Sequence, residues 1–163
     1  MADRVSATIR IGGTLAHVNV PDLIAVIERE GISTDWEGTR FSPADLECSE
    51  PLLLMAHEVA WGMFQELEPF CRDHGLAYVR WAGGCSGSFG PERVAFDGVN
   101  PERTFVVTDD DEVLISLADI RTLGTIEAIE AHFAAAEFTV PPLLLVDPDA
   151  VLGRDSDAHL IHK

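Results

Sequence analysis

The residues best suited to chemistry lie in the glycine- and serine-rich stretch Gly83 to Pro91, which reads GGCSGSFGP. Cys85 stands inside it, and a cysteine in an open loop becomes a nucleophile when a base such as His57 or His74 lies close in space. The stretch lacks the GxGxxG and GxxxxGK[ST] patterns of phosphate-binding loops and the G-x-S-x-G pattern of serine hydrolases. We interpret it as a connecting loop, and we predict that the protein has no catalytic residue.

A second candidate for chemistry is a metal site built on Cys71 and His74, which are three residues apart on a predicted helix. Their side chains would share one side of that helix, and His57 or Cys48 would have to complete a zinc site. No CxxC or HxxxH pair supports it, and Cys71 belongs to the apolar stripe of the helix. The four consecutive acids from Asp109 to Glu112 lack the alternating ligands and the loop glycine of a calcium site. We therefore expect no metal and no cofactor.

Net charge is the strongest compositional signal, with 28 acidic residues against 11 basic ones and a balance of −17. The only lysine is Lys163. Such a protein repels nucleic acid and anionic membranes and attracts basic proteins. Two explanations stay open: an acidic surface adapted to high salt, or a surface that competes with nucleic acid for a basic groove.

Length and hydropathy predict a protein of the cytoplasm. The 163 residues, 47% of them hydrophobic, suffice for one domain with a core. No apolar run approaches the roughly 18 residues of a membrane span, and the N-terminal stretch lacks the apolar region of a secretory signal. The cysteines, Cys48, Cys71 and Cys85, form an odd and widely spaced set, which we interpret as reduced thiols.

These residues must be positioned by a helix and strand within Trp61 to Ala82, which organise the chain. A helix is predicted from Met63 to Gly75, with its apolar side chains three or four residues apart and Glu66 and Glu68 on the opposite, exposed face. Gly75 suits the left-handed residue that ends a helix. The strand Leu76 to Trp81 follows directly.

The preceding chain predicts a β-α-β-β-α-β order. Alternating side chains indicate a strand at Val5–Ile11, which Gly12 and Gly13 should end. Pro21 and Gly31 bound a helix, Ile32–Trp36 is a short second strand, and Leu52–Ala56 is a buried third. This is the order of a ferredoxin-like sandwich, so we predict an α+β fold.

The following chain predicts an antiparallel meander and C-terminal helices. Its strands are Arg93–Asp97, Arg103–Thr108 and Glu112–Ser116, and Ser116 and Thr125 cap the helices. Two prolines make Thr139–Val146 an edge segment, which leaves a homodimer open. We predict one domain over residues 1–146 and a loose polar tail over residues 147–163.

The function predicted first is that of a non-enzymatic interaction protein. Its acids would replace nucleic-acid phosphates on the basic surface of a partner, as in phage or plasmid inhibitors of host nucleases or defence systems. It would bind neither nucleic acid nor membrane directly. The expected contact residues are Asp35, Glu37, Glu47, Glu50, Glu66, Glu68, Asp109, Asp110, Asp111 and Glu112.

The alternative is a domain that binds or converts a small ligand at the Gly83–Gly90 loop. Arg80, Trp81, Cys85 and Arg93 would surround that ligand. A deep pocket containing Trp61, Trp81 and a histidine would favour this alternative, whereas a flat acidic face would favour the interaction protein.

Overall fold

The computed structural model describes residues 1–148, which form a six-stranded sheet with helices packed on both faces. The α+β class is therefore confirmed. No helix in this part of the chain combines the length and the hydrophobicity that crossing a bilayer requires. The strands are β1 (Arg4–Ala16), β2 (Leu52–Ala60), β3 (Ala77–Ala82), β4 (Glu92–Phe96), β5 (Arg103–Val106) and β6 (Leu143–Val146), and the α-helices are α1 (Val20–Glu30), α2 (Leu67–Asp73), α3 (Leu117–Leu123) and α4 (Ile126–Ala136).

The sheet is built around β1, which is 13 residues long and pairs with three other strands. The order is β2-β1-β3-β4-β5, and each neighbouring pair is antiparallel. The last strand, β6, pairs parallel with the second half of β1, from Gly13 to Ala16. The segment Leu143 to Val146 therefore pairs within its own chain. Of the predicted meander, the first two strands are present as the antiparallel pair β4 and β5.

One face of the sheet is fully covered and forms the main core. On β1, Ala7, Ile9 and Ile11 are completely buried, as the alternating pattern predicts. Leu23 and Ile27 of α1 and the apolar side chains of α2 pack on them. The opposite face is covered only in part, because α4 packs over β4 and β5 through Ala136, Ala95 and Phe105. The part of this second face that β1 and β3 form lies beside α4 and is not covered by that helix.

Gly12 and Gly13 do not end β1, so the prediction that they would is wrong. The strand continues to Ala16, and the chain entering β6 passes directly against the two glycines. Gly13 donates a backbone hydrogen bond to Pro142 O at 3.0 Å, and an added Cβ at Gly12 would lie 1.6 Å from Pro141 O. The glycines serve a close backbone approach here instead of a turn.

The predicted strand Ile32–Trp36 is also wrong, and the βαββαβ order is not confirmed. Within this segment Ser33 forms isolated bridges with Arg40 and Met55, and Asp35 begins a turn closed by Thr39. The order is β1-α1-β2-α2-β3 instead. Glu112–Ser116 likewise forms only an isolated bridge, between Val107 and Val113. Each segment has a pairing partner nearby but too few consecutive hydrogen bonds to make a ladder.

Other expected boundaries are close to those observed. α2 begins at Leu67, later than predicted, and Gly75 has the left-handed φ of 63° that was expected. Gly31 and Gly124 end α1 and α3, and Ser116 caps α3 through a capping box with Asp119. The single-domain boundary stays a prediction, and residues 149–163 of the predicted tail lie outside the described residues.

A buried ion pair joins α2 to the sheet. Arg80 of β3 points into the core face and is 2% exposed, and its Nε donates to Glu68 Oε1 at 2.8 Å. The same guanidinium donates to Gly62 O at 2.8 Å and to Glu92 Oε1 at 2.9 Å. The second oxygen of Glu68 accepts from the Phe64 amide at 2.7 Å. One arginine thus connects the turn after β2, the first turn of α2, and β4.

We predict that Gly12→Ala lowers the free energy of unfolding by at least about 2 kcal/mol, because the added methyl would collide with a backbone carbonyl. Urea denaturation measures the change. Gly90→Ala is the matched control, since an added Cβ there meets no atom within 4 Å. Equal stability of the two variants would contradict the close crossing at Gly12.

We also predict that Arg80→Met is more destabilising than Arg80→Met combined with Glu68→Met. The single change leaves a buried carboxylate without its cation, which costs about 3–5 kcal/mol, and removing both charges recovers part of this loss. Arg29→Met is the control, because its ion pair with Glu66 is exposed, and it should change stability little. A double variant less stable than Arg80→Met would refute this role of the pair.

Candidate functional site

The expected contact residues fall into groups on different parts of the surface. Glu68 is 6% exposed and ion-paired with Arg80, so the expectation that it lies on an exposed helix face is wrong. Glu66 is exposed, and its carboxylate binds Arg29 at 2.7 Å. Glu37, Glu47 and Glu50 are exposed. The misplacement of Glu68 arises because α2 starts four residues later than predicted and the turn before it folds Phe64 onto the Glu68 carboxylate.

The acidic turn Asp109 to Glu112 is held rigidly to the sheet by two of its carboxylates. Asp111 adopts a left-handed φ of 63° and accepts from Arg93 Nε at 2.9 Å. Arg93 also donates to Ala136 O at 2.9 Å, which binds the C-terminal end of α4 to the same point. Asp109 Oδ1 accepts from the Gly84 amide at 3.5 Å. Asp110 and Glu112 are exposed, and their side-chain carboxylates make no hydrogen bond or ion pair within residues 1–148.

Two adjoining acidic grooves lie where α1 ends beside β2. Both are lined by Glu30 and Glu58, one extends to Glu66, and the other extends to Asp35. Hydrogen bonds from Thr39 lower the pKa of Asp35. Asp35 and Glu66 are among the expected contact residues, whereas the sequence did not single out Glu30 or Glu58.

Glu30 lines both grooves, and its carboxylate is only partly hydrogen-bonded. Its Oε1 accepts from the Glu66 amide at 2.8 Å, whereas its Oε2 is buried without a hydrogen-bond partner among the described residues. Burial raises the pKa of Glu30, and the nearby charges of Glu66 and Glu68 raise it further. The surroundings of this carboxyl group therefore disfavour its charged form relative to the unfolded chain.

Large apolar side chains are exposed along the segment from Val106 to Ile126, which we call the 106–126 segment. Beside the Val107–Val113 bridge, the Leu114 amide donates to Val106 O at 2.9 Å, and the two side chains are 49% and 64% exposed. α3 buries none of its residues, and α4 buries only Ala136. The two helices therefore contribute only Ala136 to the buried residues. The exposed aliphatic residues of the segment are Val106, Leu114, Leu117, Ile120 and Ile126.

The cysteines and histidines considered for a metal site do not form one among the described residues. Cys71 is completely buried, and burial raises the pKa of its thiol far above the ordinary value. His74 stacks on Phe70 with ring centroids 4.2 Å apart. Among residues 1–148, no group of three or more histidine, cysteine or acidic side chains is arranged to hold a metal ion. Cys85 packs against the core, and its backbone pairs with Phe89.

His57 has a structural role that its sequence position did not indicate. Its Nε2 lies 3.1 Å from Trp36 O, and its Nδ1 lies 3.1 Å from Ser6 Oγ. A carbonyl only accepts, so Nε2 donates to it and Nδ1 accepts from the Ser6 hydroxyl. The imidazole thereby ties the loop after α1 to β1. Ser6 lines none of the grooves and cavities described here.

A cavity of about 440 Å³ lies on the partly covered face of the sheet. Thr8 and Arg10 of β1, Leu53 of β2, and Val79 and Trp81 of β3 form its floor. The walls are formed by Glu50, Pro51, Asp111, Thr139 and Val140. We call this cavity the Arg10 cleft.

The site expected at the Gly83–Gly90 loop is not assembled. Arg80 is buried on the opposite face of the sheet, and Arg93 is occupied by Asp111 and Ala136. Trp81 lines the Arg10 cleft, but neither Trp61 nor a histidine does. Trp61 lies instead beside Phe89, with ring centroids 6.4 Å apart.

We predict that Glu30→Gln makes the protein more stable at pH 7 and that this gain disappears near pH 4. The folded-state pKa of Glu30 is raised, so stability is lost as pH rises from the unfolded pKa through the folded one, and glutamine removes that loss. Melting temperatures at both pH values measure the effect. Glu28→Gln removes an equal charge from an exposed position of α1 and corrects for the general benefit of lower net charge. The same gain in both variants would contradict this account.

Comparison of the chain with protein-family models, with curated proteins and with solved structures gives no match. The function proposed below therefore rests on the geometry of the described residues.

Proposed function

We propose that this protein is a non-enzymatic acidic interaction protein that binds a basic surface on a partner protein. A nucleic-acid-binding partner fits best, because its basic groove is complementary to a surface on which carboxylates replace phosphates. An inhibitor of a nuclease or of a defence system is one protein that would act in this way. The partner would be held by carboxylates at the edge of an apolar surface.

The observation that supports this proposal is the composition of the 106–126 segment. Over 21 residues it combines five exposed aliphatic side chains with five acids, Asp109 to Glu112 and Asp119. Exposed apolar surface next to charge is typical of protein–protein contact sites. Acidity that only adapts a surface to high salt would not require leucine and isoleucine to remain in solvent, so the segment favours an interaction surface over the salt explanation.

The negative charge of the 106–126 segment favours a partner whose contact surface is positively charged. Asp110 and Glu112 have no cation beside them among the described residues, whereas Asp111 is neutralised by Arg93. Five ion pairs in residues 1–148 engage only Glu66, Glu68, Glu92, Glu102 and Asp111, so most of the acids stay uncompensated. A second copy of this chain would bring together two bodies of charge −17, which disfavours self-association relative to a basic partner.

We predict that neutralising Asp110 and Glu112 releases the partner. The immobilised protein would be exposed to lysate of its source cells and washed at about 0.05 M and then about 0.5 M salt, which shortens the screening length several-fold. Wild type should retain one stoichiometric basic protein at low salt, and Asp110→Asn with Glu112→Gln should lose most of it. The measurement is quantitative mass spectrometry of the eluates.

Two further variants make this experiment decisive. Asp22→Asn with Glu28→Gln removes the same charge from exposed positions of α1 and should retain the partner. Leu117→Ser with Ile120→Ser should release it without loss of folding, because both side chains are already exposed. Absence of a stoichiometric basic protein, or equal loss in the α1 control, would refute the proposal.

A further inference from the structure

The Arg10 cleft contains an arginine that the rest of the structure does not use. Arg10 stands on the central strand between Leu53 and Val79, its partners on the two neighbouring strands. Four other arginines form ion pairs with carboxylates, but Arg10 forms neither an ion pair nor a side-chain hydrogen bond with any described residue. In a chain with so many acids, an exposed cation that lines a cleft and has no carboxylate partner among the described residues is available for a ligand.

The surroundings of Arg10 divide into a polar and an apolar part. Thr8 lies on the same strand face two residues away and offers a hydroxyl, while Val79, Leu53 and Trp81 supply apolar and aromatic surface. Trp81 Nε1 lies 3.5 Å from Thr108 O, a contact that orients the indole ring. One cation beside an aromatic floor is the combination that recognises a ligand with one anionic end and an apolar body.

The walls define the size and the charge of that ligand. The chain closes the cleft from three directions, at Glu50 and Pro51, at Asp111, and at Thr139 and Val140. Its volume of about 440 Å³ suits a small molecule. A phosphate carries about two negative charges and would be repelled by Glu50 and by the protein as a whole, whereas one carboxylate matches the single planar guanidinium.

We propose that the Arg10 cleft binds a small monocarboxylate with an aromatic body. The carboxylate would pair with the Arg10 guanidinium, and the ring would lie on Val79 and Trp81. This site is separate from the exposed aliphatic side chains of the 106–126 segment, and the inference does not depend on the proposed partner.

The test is a titration of the ¹⁵N-labelled protein, followed by amide chemical shifts, with phenylacetate, benzoate and 3-phenylpropionate and with the neutral amide of each. At least one carboxylate should cause saturable shifts at Thr8, Arg10, Val79 and Trp81, and its amide should bind at least about tenfold more weakly. Arg10→Gln should lower the affinity for that carboxylate by a similar factor.

Arg40→Gln is the matched control, because Arg40 is exposed, lines a different cavity and forms no ion pair with the described residues. It should leave the affinity unchanged, and unperturbed amide spectra of both variants would establish that they are folded. No saturable shift with any of the three acids would overturn the proposal. Equal binding of acids and amides, or equal loss in both arginine variants, would overturn it as well.

Discussion

The arrangement of this domain depends on the hydrogen bonds and ion pairs that the buried guanidinium of Arg80 makes. It reaches a backbone carbonyl at Gly62, a carboxylate on α2 and a carboxylate on β4, all at hydrogen-bond distance. A charge in this position is tolerated only when its donors are satisfied, which fixes α2 and the turn before it relative to β3 and β4. An apolar residue would pack there but would not specify this geometry. Glu68, which Arg80 engages in the core, is consequently unavailable to a partner.

The sequence predicted those elements whose signals are local. Alternation along β1, the Ser116 cap of α3, and the glycines at positions 31 and 75 act over a few residues, and each was placed correctly. Failures occurred where a distant segment decides. From the sequence, Gly12 and Gly13 indicate the end of a strand, but in the structure the chain near Pro142 crosses them. The sequence likewise indicates that Glu68 faces solvent, but in the structure it pairs with Arg80 of the sheet. Burial of an ion pair and close passage of two backbones depend on tertiary structure, which spacing does not encode.

The two faces of the sheet differ in how completely they are covered, and this difference locates the candidate sites. The α1–α2 face is sealed by apolar side chains and contains the ion pair. On the other face α4 covers β4 and β5, and the polar alternation Ser6, Thr8 and Arg10 of β1 lies in the uncovered half. That alternation was visible in the sequence, but which side of the strand would remain open was not. Asp111 belongs both to the acidic turn and to a wall of the Arg10 cleft, so the two surfaces adjoin at one anchored residue.

The parallel pairing of β6 with β1 has a consequence for the order in which the chain can fold. β1 is synthesised before its partner Leu143–Val146, which follows more than 120 residues later in the chain. Until then Gly13 to Ala16 of β1 have no strand partner among the described residues, because β2 and β3 pair only with residues up to Gly12. Sheet formation must therefore finish after synthesis of this segment is complete, and contacts of such long range slow the approach to the native state. During translation, part of β1, the strand around which the finished domain is built, therefore remains unpaired.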